Sequence, residues 1–548
     1  MNQGADRLRA AVEQALATLG IADTVVTLER PRDPSHGDLA TNVALRLAKR
    51  LNRKPRELAT RIVAALDAPE LVSKIEIAGP GFINFWLVPT ALTKVLHTIL
   101  EQGVYYGQSA GGRGKRVNVE FVSANPTGPL HVGHGRGAAI GDAIAALLEA
   151  TAHEVTREFY VNDAGVQIER LGASLWARVQ QAAGRHAEIP DGGYHGHYLR
   201  ELAQQVLETE GLEFADLPAE EGIARCRDIA VSMQRAEQDK DLADFGVKFD
   251  VTTCETELYE SRALEETLVA LADRGLTYVR DDALWLRTSD HGDDKDRVLR
   301  KQDGTYTYFL PDLAYHRAKA ARGFHRAIDV WGSDHHGYVP RMKAALRALG
   351  MPDDFFDVVI YQLVKVERHG EEVRFSKRSG EFVTLRDLCE ETGVDAARYF
   401  FLMRRPDQQF VFDIDLATKQ SEENPVYYVQ YAHTRMAGIM RNADIDPHDI
   451  ETAGVDLSLL SEPEEQELLK HLAEYPDVVA RAAGALEPHR IVTYLEELAR
   501  IVNAWYHHHR VLGVEEKLSS ARLVLSRAAK IVLANGLGLL GVTAPERM

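Results

Sequence analysis

The stretch 116–136 reads RVNVEFVSANPTGPLHVGHGR. Its opening, RVNVEFVS, is rich in β-branched residues and predicts a short strand. The following Asn125-Pro126-Thr127-Gly128-Pro129 can continue neither strand nor helix and predicts a turn. The alanine-rich AAIGDAIAALLEA (138–150) predicts a helix, and EVTREFYV (154–161) a second strand. Strand, glycine-rich turn, helix and strand in that order make the βαβ unit of a nucleotide-binding α/β domain.

Outward from this unit the chain divides by texture. Residues 1–90 predict a small α+β module, with KIEIAGPGFINFWL (74–87) as two strands about a Gly-Pro-Gly turn. Residues 110–200 are the first half of the α/β domain. Residues 200–295 are polar and mainly helical and read as an insertion, with strand-like text in LTYV and ALWLRT. The second half spans 295–380, with TYTYFL (305–310), AIDVWGS (327–333) and FDVVIYQLV (356–364) as its strands. A helical linker (381–420) and a helical region (421–548) complete the chain.

The 548 residues carry a net charge of −18, enough apolar content for several cores, and three cysteines, Cys226, Cys254 and Cys389, none in a CxxC pair. A disulfide framework or thiolate zinc site is not expected. The most apolar late stretch, 531–542, falls short of the roughly 20 residues a spanning helix needs. The expectation is a soluble, cytoplasmic protein without membrane contact. The acidity is uneven: residues 201–221 carry a net −7 and residues 444–477 a net −10.

Two motifs carry chemistry. His131 and His134 lie three apart across Gly133, after a strand and at a helix start. A helix N-terminus suits phosphate, and two imidazoles there can donate to phosphate oxygens as charge develops. A metal would need a third ligand that the local turn does not offer. The second motif is Val373-Arg374-Phe375-Ser376-Lys377-Arg378-Ser379-Gly380. Alone it reads as a solvated loop. Paired with the histidines, it reads as a basic loop for the β- and γ-phosphates of ATP.

HVGH and RFSKR resemble the two signatures of class I aminoacyl-tRNA synthetases. VEFVSANPTGPLHVGHGR, YVNDAGVQI, DGTYTYFLPDLAYH, WGSDHHGYVPR, NPVYYVQYAHTR and SHGDLATN…AGPGFINF resemble the arginyl-tRNA synthetase family over nearly the whole chain. Arg374 and Phe375 depart from the signature's first lysine and methionine. The resemblance implies a multidomain α/β protein: a Rossmann-like class I catalytic domain with insertion, an N-terminal module at the tRNA elbow, and an all-α anticodon-binding bundle. It implies arginine activation by ATP with Mg2+, transfer to tRNA(Arg), no protein-bound zinc or other metal, and a monomer.

By the same resemblance His131, His134 and Lys377 are catalytic. Gly133, His134, Gly135, Arg374, Phe375, Ser376 and Lys377 bind ATP. Glu120, Ser123, Asn125, Tyr308, Asp312 and His335 bind arginine, with Tyr308 and Asp312 on the guanidinium. Asp312 could instead only cap a helix beginning beyond Pro311. Phe82, Asn84, Tyr428, His433 and Arg435 contact tRNA. The acidic stretches are expected on faces turned from the RNA. A tRNA-independent ligase would lack the flanking modules, and a non-catalytic paralogue would have lost one of the two motifs.

Overall fold

The computed structural model describes residues 3–21, 24–29, 31, 33–373 and 383–548. The N-terminal module contains α1 (Gln3–Thr18), β1 (Leu39–Thr41), α2 (Val43–Arg50), α3 (Pro55–Ala65), β2 (Val72–Ala78) and β3 (Phe82–Leu87). Its antiparallel sheet runs β1-β3-β2, with the core between sheet and helices built on Leu8, Val12, Leu47, Ile62 and Phe85. Gly81 turns β2 into β3 at φ 145°, where a Cβ would lie 2.9 Å from the Pro55 carbonyl carbon. The Gly-Pro-Gly turn thus packs directly on the start of α3.

After α4 (Pro89–Gln102) come β4 (Arg116–Glu120), α5 (Val132–Ala150), β5 (Glu154–Val161), α6 (Val166–Ala182), α7 (Tyr198–Glu210), α8 (Ala219–Asp244) and β6 (Val251–Cys254). Next are α9 (Glu255–Glu260), α10 (Ala263–Asp273) and an antiparallel sheet of β7 (Thr277–Arg280), β8 (Ala283–Leu286) and β9 (Arg297–Arg300). The chain returns through α11 (Phe309–Ala321), β10 (Arg326–Gly332), α12 (Val339–Ala348) and β11 (Phe356–Tyr361). The central sheet is parallel throughout, in the order β6-β5-β4-β10-β11. Strand order reverses between β4 and β10, and ligands of such sheets bind at the carboxyl ends of the strands beside that reversal.

Three expectations are corrected here. TYTYFL is not a strand: Tyr306 makes only an isolated bridge to Arg300, and α11 already begins at Phe309. Pro311 is tolerated because the first helical turn leaves its amide groups unbonded anyway. Within 200–295, β6 completes the central sheet, so that stretch is not purely an insertion. In the helical linker, Phe410–Asp413 is a strand and pairs in parallel with Val364–Arg368.

Helix α5 is buried on most of its surface, and its glycines make this possible. A Cβ at Gly141 would lie 2.2 Å from the Phe121 ring, and one at Gly137 3.0 Å from Tyr361. Beyond the sheet come β12 (Val364–Arg368), β13 (Glu371–Glu372), α13 (Leu385–Thr392), α14 (Val394–Leu402), β14 (Phe410–Asp413) and α15 (Ile414–Thr418). The bundle of α16 (Pro425–Asn442), α17 (Pro463–Ala485), α18 (His489–His508) and α19 (Glu516–Leu539) follows, closed on Trp505, Leu495 and Leu533.

Buried polar groups join these bodies. Arg398 of α14 donates to the carbonyls of Leu540 (3.0 Å) and Phe245 (3.1 Å) and to Asp142 of α5 (2.5 Å). Asn535 of α19 donates to the carbonyls of Gly103 and Tyr106, and Tyr106 donates to the Leu472 carbonyl at 2.9 Å. Lys470 of α17 pairs with Asp38 of the N-terminal module.

Candidate active site

The carboxyl end of β4 carries an unusual turn. Val122 and Ser123 both take positive φ (68° and 42°), a conformation costing side-chain-bearing residues about 1–3 kcal/mol each. The bend sets the Ser123 hydroxyl to donate to Glu120 Oε1 (2.9 Å) and to accept the Tyr160 amide (3.2 Å). Asn125 donates to Gln167 at 2.8 Å.

The turn delivers His131 as N-cap of α5. The His134 amide donates to His131 Nδ1, and the His131 amide donates to His134 Nδ1, each at 3.2 Å. This reciprocal cap uses both Nδ1 atoms as acceptors, so each neutral ring carries its proton on Nε2. The rings stack with centroids 3.6 Å apart. Burial lowers both histidines, His134 to about 3 with the neighbouring His131 adding to the effect. Two neutral Nε2–H donors at a helix N-terminus can stabilise growing negative charge without protonated imidazole. Gly133 is required by this stacking, since a Cβ there would meet the His131 ring at 2.8 Å. Gly135 instead receives Leu385, whose Cδ1 lies 2.5 Å from a Cβ built there. Arg374, Phe375, Ser376 and Lys377 lie outside the described residues.

Behind the turn, the register places Asp329, Glu120 and Glu158 side by side on β10, β4 and β5. Helix α11 compensates them. Lys319, fully buried, lies 2.5 Å from Glu120 and 2.9 Å from Asp329, and Arg322 lies 2.7 Å from Glu158. Tyr315 donates to Glu158 at 3.0 Å. Both ring nitrogens of His316 face acceptors, the Asp312 carbonyl (2.8 Å) and Asp329 (2.9 Å). Burial, with Asp329 beside it, pushes the Glu120 carboxyl up. Burial acts the same way on Asp329, but Lys319 and His316 outweigh it and hold that carboxyl low. Glu120, His316 and Asp329 stand at metal-ligand spacing, yet the Lys319 ammonium already supplies the cation bridging the two carboxylates. Glu120 is therefore engaged on both oxygens, by Lys319 and Ser123, and faces the interior.

Asp312 sits in the first turn of α11 and accepts the Tyr338 hydroxyl at 2.5 Å. Tyr308 is the N-cap residue, and no side-chain hydrogen bond caps the helix, so Asp312 is not acting as a cap. Burial raises its carboxyl against the opposing Tyr338 bond. Tyr308 is 77% exposed. His335 is exposed in the turn after β10, 3.3 Å from Asp334.

Sequence reasoning missed two groups. Glu255, the first residue after β6, is buried, and burial together with Asp312 raises its carboxyl to about 7. Tyr338 holds Asp312. The signal for Glu255 was an acidic residue directly after VTTC, a strand read as insertion. The effect of Asp312 on Glu255 places the two carboxyls within electrostatic reach of one another at the carboxyl edge of the sheet.

The proposed tRNA contacts divide. Phe82 is 41% exposed, but Asn84 is 3% exposed and so presents no amide to a base edge. Arg435 donates to Asn503 (2.6 Å) and lies over Tyr431 (4.4 Å) and Tyr506 (5.3 Å). Tyr427 stacks on Tyr431, and Tyr428 packs against the core. His433 is buried, bonded to the Pro545 carbonyl at 3.0 Å, and does not share the Arg435 surface.

Comparison with known proteins accounts for this arrangement over the whole chain. Residues 6–87 match the family described as arginyl tRNA synthetase N terminal domain, 95–426 the class I (R) tRNA synthetase catalytic domain, and 429–548 the DALR anticodon binding domain. The arginine–tRNA ligase of Syntrophotalea carbinolica is 50% identical over 95% of both chains. That of Geobacillus kaustophilus is 48% identical over 99% of both. The solved Thermus thermophilus arginyl-tRNA synthetase superposes with a TM-score of 0.79 at 25% identity, covering 99% of this chain and all of the other. A parallel sheet with a histidine pair at its reversal, matches to the family's N-terminal, catalytic and anticodon-binding domains, and full-length identity near one half place this chain in the class I arginyl-tRNA synthetase family.

Proposed function

We propose that the chain activates L-arginine with MgATP, giving arginyl-adenylate and pyrophosphate, and passes the arginyl group to the 2′-hydroxyl of the terminal ribose of tRNA(Arg), the new ester bond replacing the acyl–phosphate bond as AMP leaves. That it is an arginine–tRNA ligase follows from its family; the steps and residue roles are inferred. The observation carrying them is the neutral, reciprocally capped His131–His134 pair at the sheet's reversal, with the Asp312–Glu255 carboxyls at the same edge.

In the first step the arginine carboxylate attacks the α-phosphorus and pyrophosphate leaves. No protein nucleophile is needed. The chain positions the reactants and stabilises charge through His131, His134 and Lys377, with Gly133, Gly135 and the Arg374–Ser376 segment around the nucleotide. Asp312, Glu255 and Tyr308 take the guanidinium, while Ser123, Asn125 and His335 border the amino and carboxyl groups. Glu120 supports Ser123 rather than touching arginine. Mg2+ enters with ATP as part of the substrate.

tRNA lies along Phe82 at one end and Tyr428 and Arg435 at the other, where rings can stack on unpaired bases. The acidic 201–221 and 444–477 stretches face away from it. Among the described residues no helix is long and apolar enough to cross a membrane.

Two measurements test these roles. His134→Ala is expected to slow arginine-dependent ATP–pyrophosphate exchange, run with tRNA present because adenylate formation in this family is expected to need it, at least tenfold, the loss of a transition-state donor. A near-normal rate would remove His134 from the mechanism. The second is pH dependence. Glu255 titrates near 7, and a guanidinium prefers its ionised form. Binding must therefore weaken as pH falls below 7, so KM for arginine rises from pH 7.5 to 6. Glu255→Gln should flatten that slope. A wild-type KM independent of pH over this range contradicts the assignment.

A further inference from the structure

Helix α8 lies outside the central sheet, yet three of its residues reach both sides of the histidine turn. Upstream of His131, Gln238 donates to the carbonyls of Asn125 (3.0 Å) and Gly128 (2.9 Å). Across from His131, residues 383–385 form an isolated antiparallel bridge with residues 130–132. The Leu385 amide donates to the Leu130 carbonyl at 2.8 Å, and the Val132 amide to the Val383 carbonyl at 3.2 Å. Val132 is the first residue of α5, so this bond occupies an amide that the helix itself leaves unpaired.

The next residue, Arg386, returns to α8. Its Nε and Nη2 lie 2.7 and 2.6 Å from Asp241 Oδ1, and its Nη1 lies 3.0 Å from Glu237. Asp241 is 2% exposed at its side chain and Arg386 is 30% exposed. A guanidinium held by two carboxylates on one helical turn fixes direction as well as distance. One turn of α8 thus grips the histidine turn through Gln238 and its bridging strand through Arg386.

We propose that Gln238, directly, and Glu237 and Asp241, acting through Arg386, are positioning residues for the first chemical step: they set the aim of His131 and His134 toward the α-phosphorus without touching substrate. This rests on the reading that those histidines face ATP. Misplacement of a reacting group by about 1 Å can cost roughly a hundredfold in rate even when substrate binding is intact. A residue that only cements the fold would instead change stability, or rate and KM together.

The test is a double-mutant cycle in the full-length enzyme, with Asp241→Asn, Arg386→Gln and the pair, read by arginine-dependent ATP–pyrophosphate exchange in the presence of tRNA and by thermal unfolding. Each single variant is expected to lower kcat roughly tenfold while KM for arginine stays within about twofold, with rates read well below each variant's unfolding midpoint, because breaking a pair to the buried Asp241 also costs stability. The double variant should be no slower than the slower single one, because both break the same contact. Additive losses, a rise in KM equal to the fall in kcat, or a loss of rate that tracks loss of stability would each overturn the proposal. His134→Ala run alongside separates the two readings. If it slows exchange while the α8 variants do not, only the positioning role falls. If it does not, the reading of the histidines falls first.

Discussion

Replacing Asp312 with Asn is expected to lower kcat/KM for arginine by about a hundredfold to a few thousandfold. The carboxyl lies in the first turn of α11, partly buried, with Tyr338 fixing one oxygen at 2.5 Å. A guanidinium entering beside it exchanges water for a preformed anionic partner. With Asn there, the substrate's charge is desolvated and loses one of its two carboxylates, and breaking such a pair costs about 3–5 kcal/mol. At 1.4 kcal/mol per tenfold, that gives the range stated. Stability should change little, because the Tyr338 hydroxyl can donate to an amide oxygen as well. ATP binding should also be preserved. A loss below fivefold, measured by exchange over a range of arginine concentrations, would mean the guanidinium is held elsewhere.

Lys319→Met is expected to be the most destabilising single change in the catalytic domain. The ammonium is fully buried and bridges Glu120 and Asp329, which the strand register forces into adjacent positions. Removing it leaves two carboxylates in a low-dielectric interior, at a cost of about 3–5 kcal/mol or more. The variant should also change how stability depends on pH. In the native protein Asp329 is held low, so its contribution is present at neutral pH and is lost as pH falls through its folded value. Without Lys319 the carboxyls are raised in the folded state. Their stabilising, protonated form is then present at low pH and is lost as pH rises through the raised values. Lys319→Met should therefore unfold at higher temperature at pH 5 than at pH 8. A variant with an unchanged midpoint and the native direction of pH dependence would show that the network is not held by this cation.

The βαβ unit was legible because local signals agree over 116–161. A β-branched run, an Asn-Pro-Thr-Gly-Pro turn that stops it, and an alanine-rich helix each permit one structure. The strand EVTREFYV (154–161) coincides with β5. The helix at Phe309 was not legible, since aromatic, β-branched TYTYFL has strand propensity, and only packing of Leu310, Leu313 and Ala314 against α10 and α12 residues overrides it. The strand β6 was hidden for another reason. Four residues inside a polar, helical stretch carry too little pattern to be recognised, and they become a strand by pairing with β5.

The site divides along the same line. His131 and His134 lie within one turn, and spacing alone exposes them. Glu255 and Tyr338 join the Asp312 pocket only through the order of strands in the sheet, which no local pattern encodes. Lys319 looks like an ordinary solvent-facing lysine in helix-forming text. Its burial is dictated by three carboxylates at one level of the sheet, a fact of register. Asn84 and His433 show the converse: both have side chains suited to RNA, and both face inward.

A class I arginyl-tRNA synthetase attaches arginine, and no other amino acid, to tRNA. The decisive measurement is charging of total tRNA by the purified full-length chain with MgATP, using labelled arginine, lysine and glutamate in parallel. Arginine incorporation should plateau at the tRNA(Arg) fraction, with no incorporation of the other two. Absence of arginine incorporation, or incorporation of lysine at a comparable rate, would contradict that assignment.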